Sequence, residues 1–71
     1  MNMEKLRFAV IGYGHIGKRH AEMIRQHTNA QLVAVADIDE AQKAHVQDGE
    51  LFFTSAEEML KQVEVDVVHV C

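Results

Sequence analysis

Short apolar runs alternate along the chain with segments in which apolar side chains recur at helical spacing. Runs rich in β-branched residues and bounded by turn residues favour strands, whereas recurrence every three or four residues favours a helix. The predicted strands are 6–12, 31–37, 51–53 and 65–71. The predicted helical segments between them are 15–27, 38–46 and 56–62. The resulting order, β-α-β-α-β-α-β, is typical of an α/β domain with a parallel sheet and right-handed crossovers.

The first helical segment has the clearest periodicity. Its apolar stripe is predicted to consist of Ile16, His20, Met23, Ile24 and His27. The solvent side is predicted to carry Lys18, Glu22 and Arg25. This division between an apolar stripe and a charged face is the pattern of a helix packed on a sheet.

The two later helical segments carry start signals. Asp39 is a predicted N-cap, because its carboxylate can accept a backbone amide of the first turn. Ser55 followed by Glu58 matches a capping box, which predicts that a helix starts at about Ala56.

Three glycines occupy the connection between the first strand and the first helix. In the stretch AVIGYGHIGKRHAE they fall at Gly12, Gly14 and Gly17, which matches the G-x-G-x-x-G dinucleotide fingerprint. A run of this kind is weak evidence alone, but here it follows a predicted strand and opens a predicted helix. Gly12 would permit the tight turn, Gly14 the close approach of a pyrophosphate, and Gly17 the close packing of helix on strand. The amides of His15 and Ile16 would then face the anion at the helix N-terminus.

An acidic residue ends the second strand at the separation that the fingerprint requires. Asp37 stands 20 residues after Gly17. Its carboxylate would accept hydrogen bonds from ribose hydroxyls and repel a 2′-phosphate, so NAD is favoured over NADP. Ile38 follows it, rather than an arginine, which supports the same choice. The alternative is that the glycines only turn the chain and that Asp37 only caps the segment after it.

Other polar residues near this turn are weaker candidates. Tyr13 lies between two glycines, and its position is equally compatible with cofactor contact and with a structural role. His20 is expected to be partly buried rather than catalytic, because it lies on the apolar stripe. Lys18 and Arg19 could approach a phosphate, although charges on a helix are more often solvated.

Composition narrows the class of protein. The 71 residues suffice for one domain at most, and 48% hydrophobic with 25% charged residues is ordinary for a globular protein. A formal net charge of −4 argues against nucleic acid and anionic membranes as partners. No run has the length of a membrane span. Cys71 is the single cysteine and has no neighbours at metal-ligand spacing, so we expect no metal site and a cytoplasmic location.

Three stretches of the chain together resemble one enzyme family. RFAVIGYGHIGKRHAEMI, LVAVADID and FFTSAEEMLKQVEVDVVHVC are similar to the start of the Gfo/Idh/MocA oxidoreductases. The resemblance implies a Rossmann-like domain with sheet order 3-2-1-4 that holds NAD(P). It also implies hydride transfer between NAD(P) and a hydroxyl of a sugar or nucleotide sugar, and GHIGKRHAEMI is most similar to enzymes that oxidise UDP-N-acetyl sugars. The implied cofactor-binding residues are Gly12, Gly14, His15, Ile16, Gly17 and Asp37, with Ile38 beside the acid and Cys71 where the fourth strand approaches the cofactor.

The same resemblance implies a second, larger domain that forms the sugar site. Residues 1–71 are therefore expected to be the N-terminal part of a dinucleotide-binding domain, inactive alone, within a homo-oligomeric parent enzyme. No residue of the chain is nominated as catalytic. The fourth strand would be an exposed apolar edge, through which residues 65–71 would self-associate unless further chain covers them. The alternative function is a non-catalytic NAD-binding regulatory module of the kind found in transport systems.

Overall fold

Four parallel strands form one sheet in a computed structural model that describes residues 5–71, so that residues 1–4 of the expected domain lie outside the described residues. The strands are β1 (Leu6–Ile11), β2 (Ala30–Ala36), β3 (Leu51–Phe53) and β4 (Val67–Val70). The helices are α1 (His15–Gln26) and α2 (Ala56–Gln62), and a 3₁₀ helix spans Glu40–His45. The strand order is β3-β2-β1-β4. The predicted succession of elements and the predicted sheet order are both confirmed, and the second helical segment is of the 3₁₀ type.

The two faces of the sheet are covered by different helices. On one face α1 packs over a cluster that contains Val10, Tyr13, Ala21, Ile24, Ala30, Leu32 and Val35. On the other face Met59 of α2 is fully buried over Ala9, Ala34 and Ala36. These small alanines let α2 approach the strands closely. β2 is therefore covered on both sides, which is what its continuous apolar run predicts.

α1 contacts the sheet through a stripe that matches the predicted one only in part, at the buried Ile24 and the partly buried His20. Its buried residues are Gly17, Ala21 and Ile24. Ile16 and Met23, which were predicted to be buried, are 64% and 67% exposed. The prediction was wrong because it favoured large side chains over the small ones that permit close packing. A Cβ on Gly17 would lie 1.9 Å from the carbonyl oxygen of Gly12, so this backbone contact sets the rotation of the helix.

The predicted start signals of the later helical segments are confirmed. The Asp39 carboxylate accepts the Ala41 amide at 3.0 Å, and the Ser55 hydroxyl accepts the Glu58 amide at 3.2 Å. The Glu58 side chain accepts a hydrogen bond from Gln62 at 3.1 Å instead of reaching back to Ser55. Half of the expected capping box is therefore formed.

β4 lies at one edge of the sheet, where the sequence places it. Asp66 ties its start to β1, because its carboxylate accepts the Arg7 amide at 2.7 Å and the Arg7 guanidinium at 3.3 Å. This guanidinium holds the pKa of Asp66 below its usual value. Val68 and Val70 are 37% and 77% exposed, so the edge presents apolar side chains.

Candidate functional site

The carboxyl ends of β1, β2 and β3 meet in a shallow groove. Three backbone hydrogen bonds hold the chain together there: Gly12 to Ala36 at 2.8 Å, Asp37 to Phe53 at 2.9 Å, and Cys71 to Ile11 at 2.9 Å, amide donor first. The groove has a volume of about 180 Å³. It is lined by Ile11, Gly12, Ala36, Asp37, Ile38, Thr54 and Ala56. In open parallel sheets, ligands bind outside this edge, at the point where the strand order reverses. Here that reversal lies between β1 and β4.

The three glycines of the turn have different surroundings. Gly12 has a φ of +91°, and a Cβ on it would lie 2.6 Å from the carbonyl oxygen of Cys71. Gly17 leaves no room for a side chain, because a Cβ there would overlap the Gly12 carbonyl oxygen. At Gly14, by contrast, a Cβ would meet no non-neighbouring atom of residues 5–71 within 4 Å. Backbone conformation and packing therefore account for two of the glycines, and the third faces open space.

The N-terminus of α1 is left open by its own sequence. Gly14 is the N-cap, and no side chain within the described part of the chain caps the helix. The first turn of α1 contains no acidic residue. The Lys18 amide closes this turn by donating to the Gly14 carbonyl oxygen at 2.9 Å. His15 and Ile16 are exposed beside it. Unpaired amides and the positive end of the helix dipole favour an anion at this position.

Asp37 is brought to the same edge, with its carboxylate turned back towards the glycine turn. Oδ2 accepts the Tyr13 amide at 2.6 Å and Oδ1 accepts the Asp39 amide at 2.7 Å. The bond to the Asp39 amide closes a local turn ahead of the 3₁₀ helix, whose N-cap is Asp39 itself. Each carboxylate oxygen has a second lone pair, so these bonds leave capacity for a ligand's hydroxyl groups.

Ile38 and Cys71 flank this arrangement on opposite sides. Ile38 is 93% exposed and lines the groove next to Asp37. Cys71 is exposed, and its carbonyl oxygen lies against Gly12. All eight residues that the sequence nominates therefore lie on or beside the carboxyl edge of the sheet.

Two further residues of the groove were missed by sequence reasoning. Thr54 and Ala56 also line it, although neither belongs to a recognised motif. Their position directly after β3 was the available indication, because the carboxyl ends of neighbouring parallel strands meet at one edge.

Tyr13 and Arg25 have roles that the sequence left open or placed wrongly. Tyr13 is 1% exposed, and its hydroxyl donates to the His45 carbonyl oxygen at 3.0 Å. Arg25 was predicted to face solvent, yet its side chain is 15% exposed and donates to the Tyr13 hydroxyl at 2.8 Å. A salt bridge to Glu50 at 2.7 Å draws it inward. The Tyr13 side chain therefore makes internal contacts behind the turn, while its backbone amide contacts Asp37 at the edge of the sheet.

His20 lies away from the carboxyl edge. It is partly buried, as expected, with its ring centroid 5.3 Å from that of His69 on the α1 face of the sheet. Within residues 5–71, no group of three or more histidine, cysteine or acidic side chains is placed to hold a metal ion. None of the helices found in that range combines the length and the apolar character needed to cross a membrane.

Comparison with known proteins identifies the family. Residues 6–71 match the family model GFO_IDH_MocA, described as an oxidoreductase family with an NAD-binding Rossmann fold. The chain belongs to this oxidoreductase family. The match covers the glycine turn, Asp37 and all four strands, so the family resemblance and the NAD-binding Rossmann fold expected from the sequence are confirmed. The regulatory alternative has no support among the matches.

Solved structures of dehydrogenases share this fold. The WlbA dehydrogenase from Chromobacterium violaceum, in complex with NADH and UDP-GlcNAcA, is 37% identical, with a TM-score of 0.85 over 94% of this chain and 20% of that one. The WlbA dehydrogenase from Bordetella pertussis, in complex with the same two molecules, is 34% identical, with a TM-score of 0.85 over 96% of this chain and 22% of that one. Myo-inositol 2-dehydrogenase from Lactobacillus plantarum is 27% identical, with a TM-score of 0.83 over 94% of this chain and 21% of that one.

The present chain spans about a fifth of the length of these dehydrogenases. Comparison with curated proteins gave no match.

Proposed function

We propose that the carboxyl edge of the sheet binds NAD, and that the chain is the cofactor-binding part of an enzyme that transfers a hydride between NAD and a hydroxyl of a sugar or nucleotide sugar. The observation that carries the proposal is Gly14. No contact within residues 5–71 requires this glycine, and it stands at a helix start that lacks a capping side chain. A pyrophosphate against Gly14 would account for both features.

The phosphate-binding part of the proposed site is backbone. The amides of His15 and Ile16 would donate to the pyrophosphate, with the dipole of α1 behind them. Gly12 and Gly17 would act indirectly, because they let β4, the turn and α1 approach one another closely. Bound NAD would supply the hydride acceptor, and the protein would supply position and electrostatics.

The adenosine-binding part is formed by side chains around the groove. Asp37 would accept hydrogen bonds from the ribose hydroxyls, and the exposed Ile38 would cover one side of the adenine. Thr54 and Ala56 would line the part of the groove that follows β3. Cys71 would lie beside the cofactor at the end of β4, beyond the turn.

The choice of NAD over NADP is part of this proposal. The Asp37 carboxylate would repel a 2′-phosphate, and the next residue, Ile38, offers no positive charge to receive one. Both oxygens of the carboxylate are already fixed by backbone amides. The charge is therefore held in place and cannot easily turn away from a phosphate group.

The substrate and the partners are inferred from the relatives. The WlbA dehydrogenases bind UDP-GlcNAcA, which favours a nucleotide sugar, whereas myo-inositol 2-dehydrogenase favours a free polyol or sugar. We further propose a homo-oligomeric cytoplasmic parent enzyme whose catalytic groups lie outside the site described above, so that residues 1–71 alone would bind but not catalyse. The exposed edge of β4 would associate with a second copy of the fragment wherever no further chain covers it.

Calorimetric titration with NAD and NADP tests the site. Wild-type chain should bind NAD more tightly, and Asp37→Ala should weaken NAD binding by about tenfold, the equivalent of ~1.4 kcal/mol. Asp37→Asn should raise the affinity for NADP relative to NAD, because it removes the charge and keeps the shape. Asp39→Ala is the matched control, since that carboxylate lies two residues away and caps the 3₁₀ helix. Equal affinity of wild type and Asp37→Ala for NAD would contradict the assignment.

A further inference from the structure

A polar network connects the buried side of the glycine turn to two distant segments. The Tyr13 hydroxyl donates to the His45 carbonyl oxygen at 3.0 Å and accepts from Nη2 of Arg25 at 2.8 Å. Arg25 also donates to both carboxylate oxygens of Glu50, at 2.7 and 2.8 Å. The Arg25 and Glu50 side chains are 15% and 7% exposed, so this ion pair is largely removed from water.

The ion pair is better suited to fixing geometry than to adding stability. Removing two charges from water costs about as much as their attraction returns, and such pairs are often replaceable by apolar residues. Here the pair has fixed geometry, since two parallel N–H···O bonds hold the guanidinium in one plane. Glu50 Oε1 also accepts the Gln47 amide at 2.9 Å, which anchors the turn before β3. The network therefore fixes the position of the Tyr13 ring relative to α1 and to the turn before β3.

The backbone of Tyr13 transmits this constraint to the proposed ribose site. Its amide donates to Asp37 Oδ2 at 2.6 Å, while the Asp39 amide holds Oδ1 at 2.7 Å. A rotation of residue 13 would move the amide and release one side of the carboxylate. The side chain of Tyr13 is buried among α1 and β2 residues, so such a rotation requires the hydroxyl contacts to break.

We propose that Tyr13, held by Arg25 and the His45 carbonyl, is a positioning residue that orients the Asp37 carboxylate and so contributes to the selection of NAD over NADP. The inference rests on the proposed role of Asp37. It assigns a function in cofactor selection to a hydroxyl group that does not face the cofactor groove.

The test compares Tyr13→Phe and Arg25→Lys with the wild-type chain. Tyr13→Phe removes only the hydroxyl, and Arg25→Lys keeps the charge but loses the fork that reaches both Glu50 and Tyr13. Val63→Ala, a partly buried position packed on the opposite face of the sheet, is the control for general loss of stability. The readout is the ratio of the NADP and NAD dissociation constants, which does not depend on the fraction of folded protein.

We expect the ratio to fall about fivefold in Tyr13→Phe and in Arg25→Lys, the loss typical of one hydrogen bond, and to be unchanged in Val63→Ala. An unchanged ratio in a folded Tyr13→Phe variant would show a structural role only and overturn the inference. If Tyr13→Phe fails to fold, the ratio of the two dissociation constants in Arg25→Lys tests the inference. A wild-type chain without preference for NAD would overturn the role of Asp37 as well, so the two failures are distinguishable.

Amide hydrogen exchange provides a second measurement that needs no cofactor. The amide of residue 13 should exchange at least about tenfold faster in Tyr13→Phe and Arg25→Lys than in wild type. The Gly12 amide, which donates to the Ala36 carbonyl, is the internal reference for the sheet. Equal acceleration at both amides, or none at residue 13, would contradict the coupling between the hydroxyl and Asp37.

Discussion

Two α-helices begin shortly after parallel strands, and the chain caps the N-terminus of one of them but not of the other. At α2 the Ser55 hydroxyl accepts the Glu58 amide at 3.2 Å, and the first turn carries two glutamates. At α1 the N-cap is Gly14, no side chain in the described range caps the helix, and the first turn carries no acid. In both helices the amides of the first turn have no partner within the helix, and the positive end of the helix dipole lies at this end. The chain supplies the acceptor and the negative charges at α2 and supplies neither at α1 within the described residues, where we propose that an anion binds.

If the proposed site is correct, this difference separates residues that stabilise the fold from residues that serve binding. The start of α2 is complete within the chain, so its side chains should affect stability. The start of α1 would be completed by a bound anion, and a ligand that binds only the folded state should raise its stability. The two helix ends therefore respond differently to equivalent substitutions.

Gly17→Ala should have the largest effect. The added Cβ would lie 1.9 Å from the Gly12 carbonyl oxygen, which is backbone and cannot move aside cheaply. We expect a loss of roughly 3 kcal/mol or more in the free energy of unfolding. Urea denaturation followed by circular dichroism measures it. Gly14→Ala, which adds the same methyl group in open space, should cost less than about 1 kcal/mol. Similar losses in both variants would contradict the contrast between the two glycines.

Gly14→Asp should make α1 resemble α2. Aspartate is among the best N-caps, so we expect the chain to gain about 1 kcal/mol of stability while its NAD affinity falls by at least about tenfold. The opposite signs distinguish this variant from one that simply damages the fold. Thermal unfolding and calorimetric titration measure the two effects.

Gly14→Asn is the matched control, because asparagine caps a helix equally well but carries no charge. It should stabilise the chain similarly and reduce NAD affinity less than Gly14→Asp. Unchanged NAD binding in Gly14→Asp would remove the pyrophosphate from the start of α1.

Ser55→Ala should affect stability at α2 without a matching loss of binding. Removing the hydroxyl leaves the Glu58 amide without its 3.2 Å acceptor, at an expected cost of about 1 kcal/mol. Ser55→Asp should restore the cap and the stability. NAD affinity should stay within about twofold of wild type in both variants, measured by calorimetry. A binding loss as large as that of Gly14→Asp would show that the two helix ends are not functionally distinct.

The family resemblance was enough to predict the sheet order, and local patterns were enough to place the nominated residues at one edge of the sheet, but neither predicted the network behind them. The glycine spacing and the acid at Asp37 are read over short distances, so their position on one edge could be predicted. Arg25, in contrast, donates hydrogen bonds to Tyr13 and to Glu50, which are separated from it by 12 and 25 positions in the sequence. Its position on the helix alone suggests a solvated charge. The rotation of α1 was also missed, because it depends on the backbone contact of Gly17 rather than on side-chain hydrophobicity.

The smallest expected effect concerns the start of β4 and appears only in acid. The Asp66 carboxylate is hydrogen-bonded to Arg7, so its pKa lies below the ordinary value of 3.8. A depressed pKa stabilises the folded state at pH values above the ordinary pKa. This contribution is lost as the pH falls through the pKa of the folded state. The difference in unfolding free energy between wild type and Asp66→Asn should therefore shrink as the pH is lowered from 5 towards 3. In an Arg7→Gln background the same substitution should show much weaker pH dependence, because the guanidinium is gone. A difference that stays constant across this range in the wild-type background would show that Arg7 and Asp66 do not interact in solution as they do in the structure.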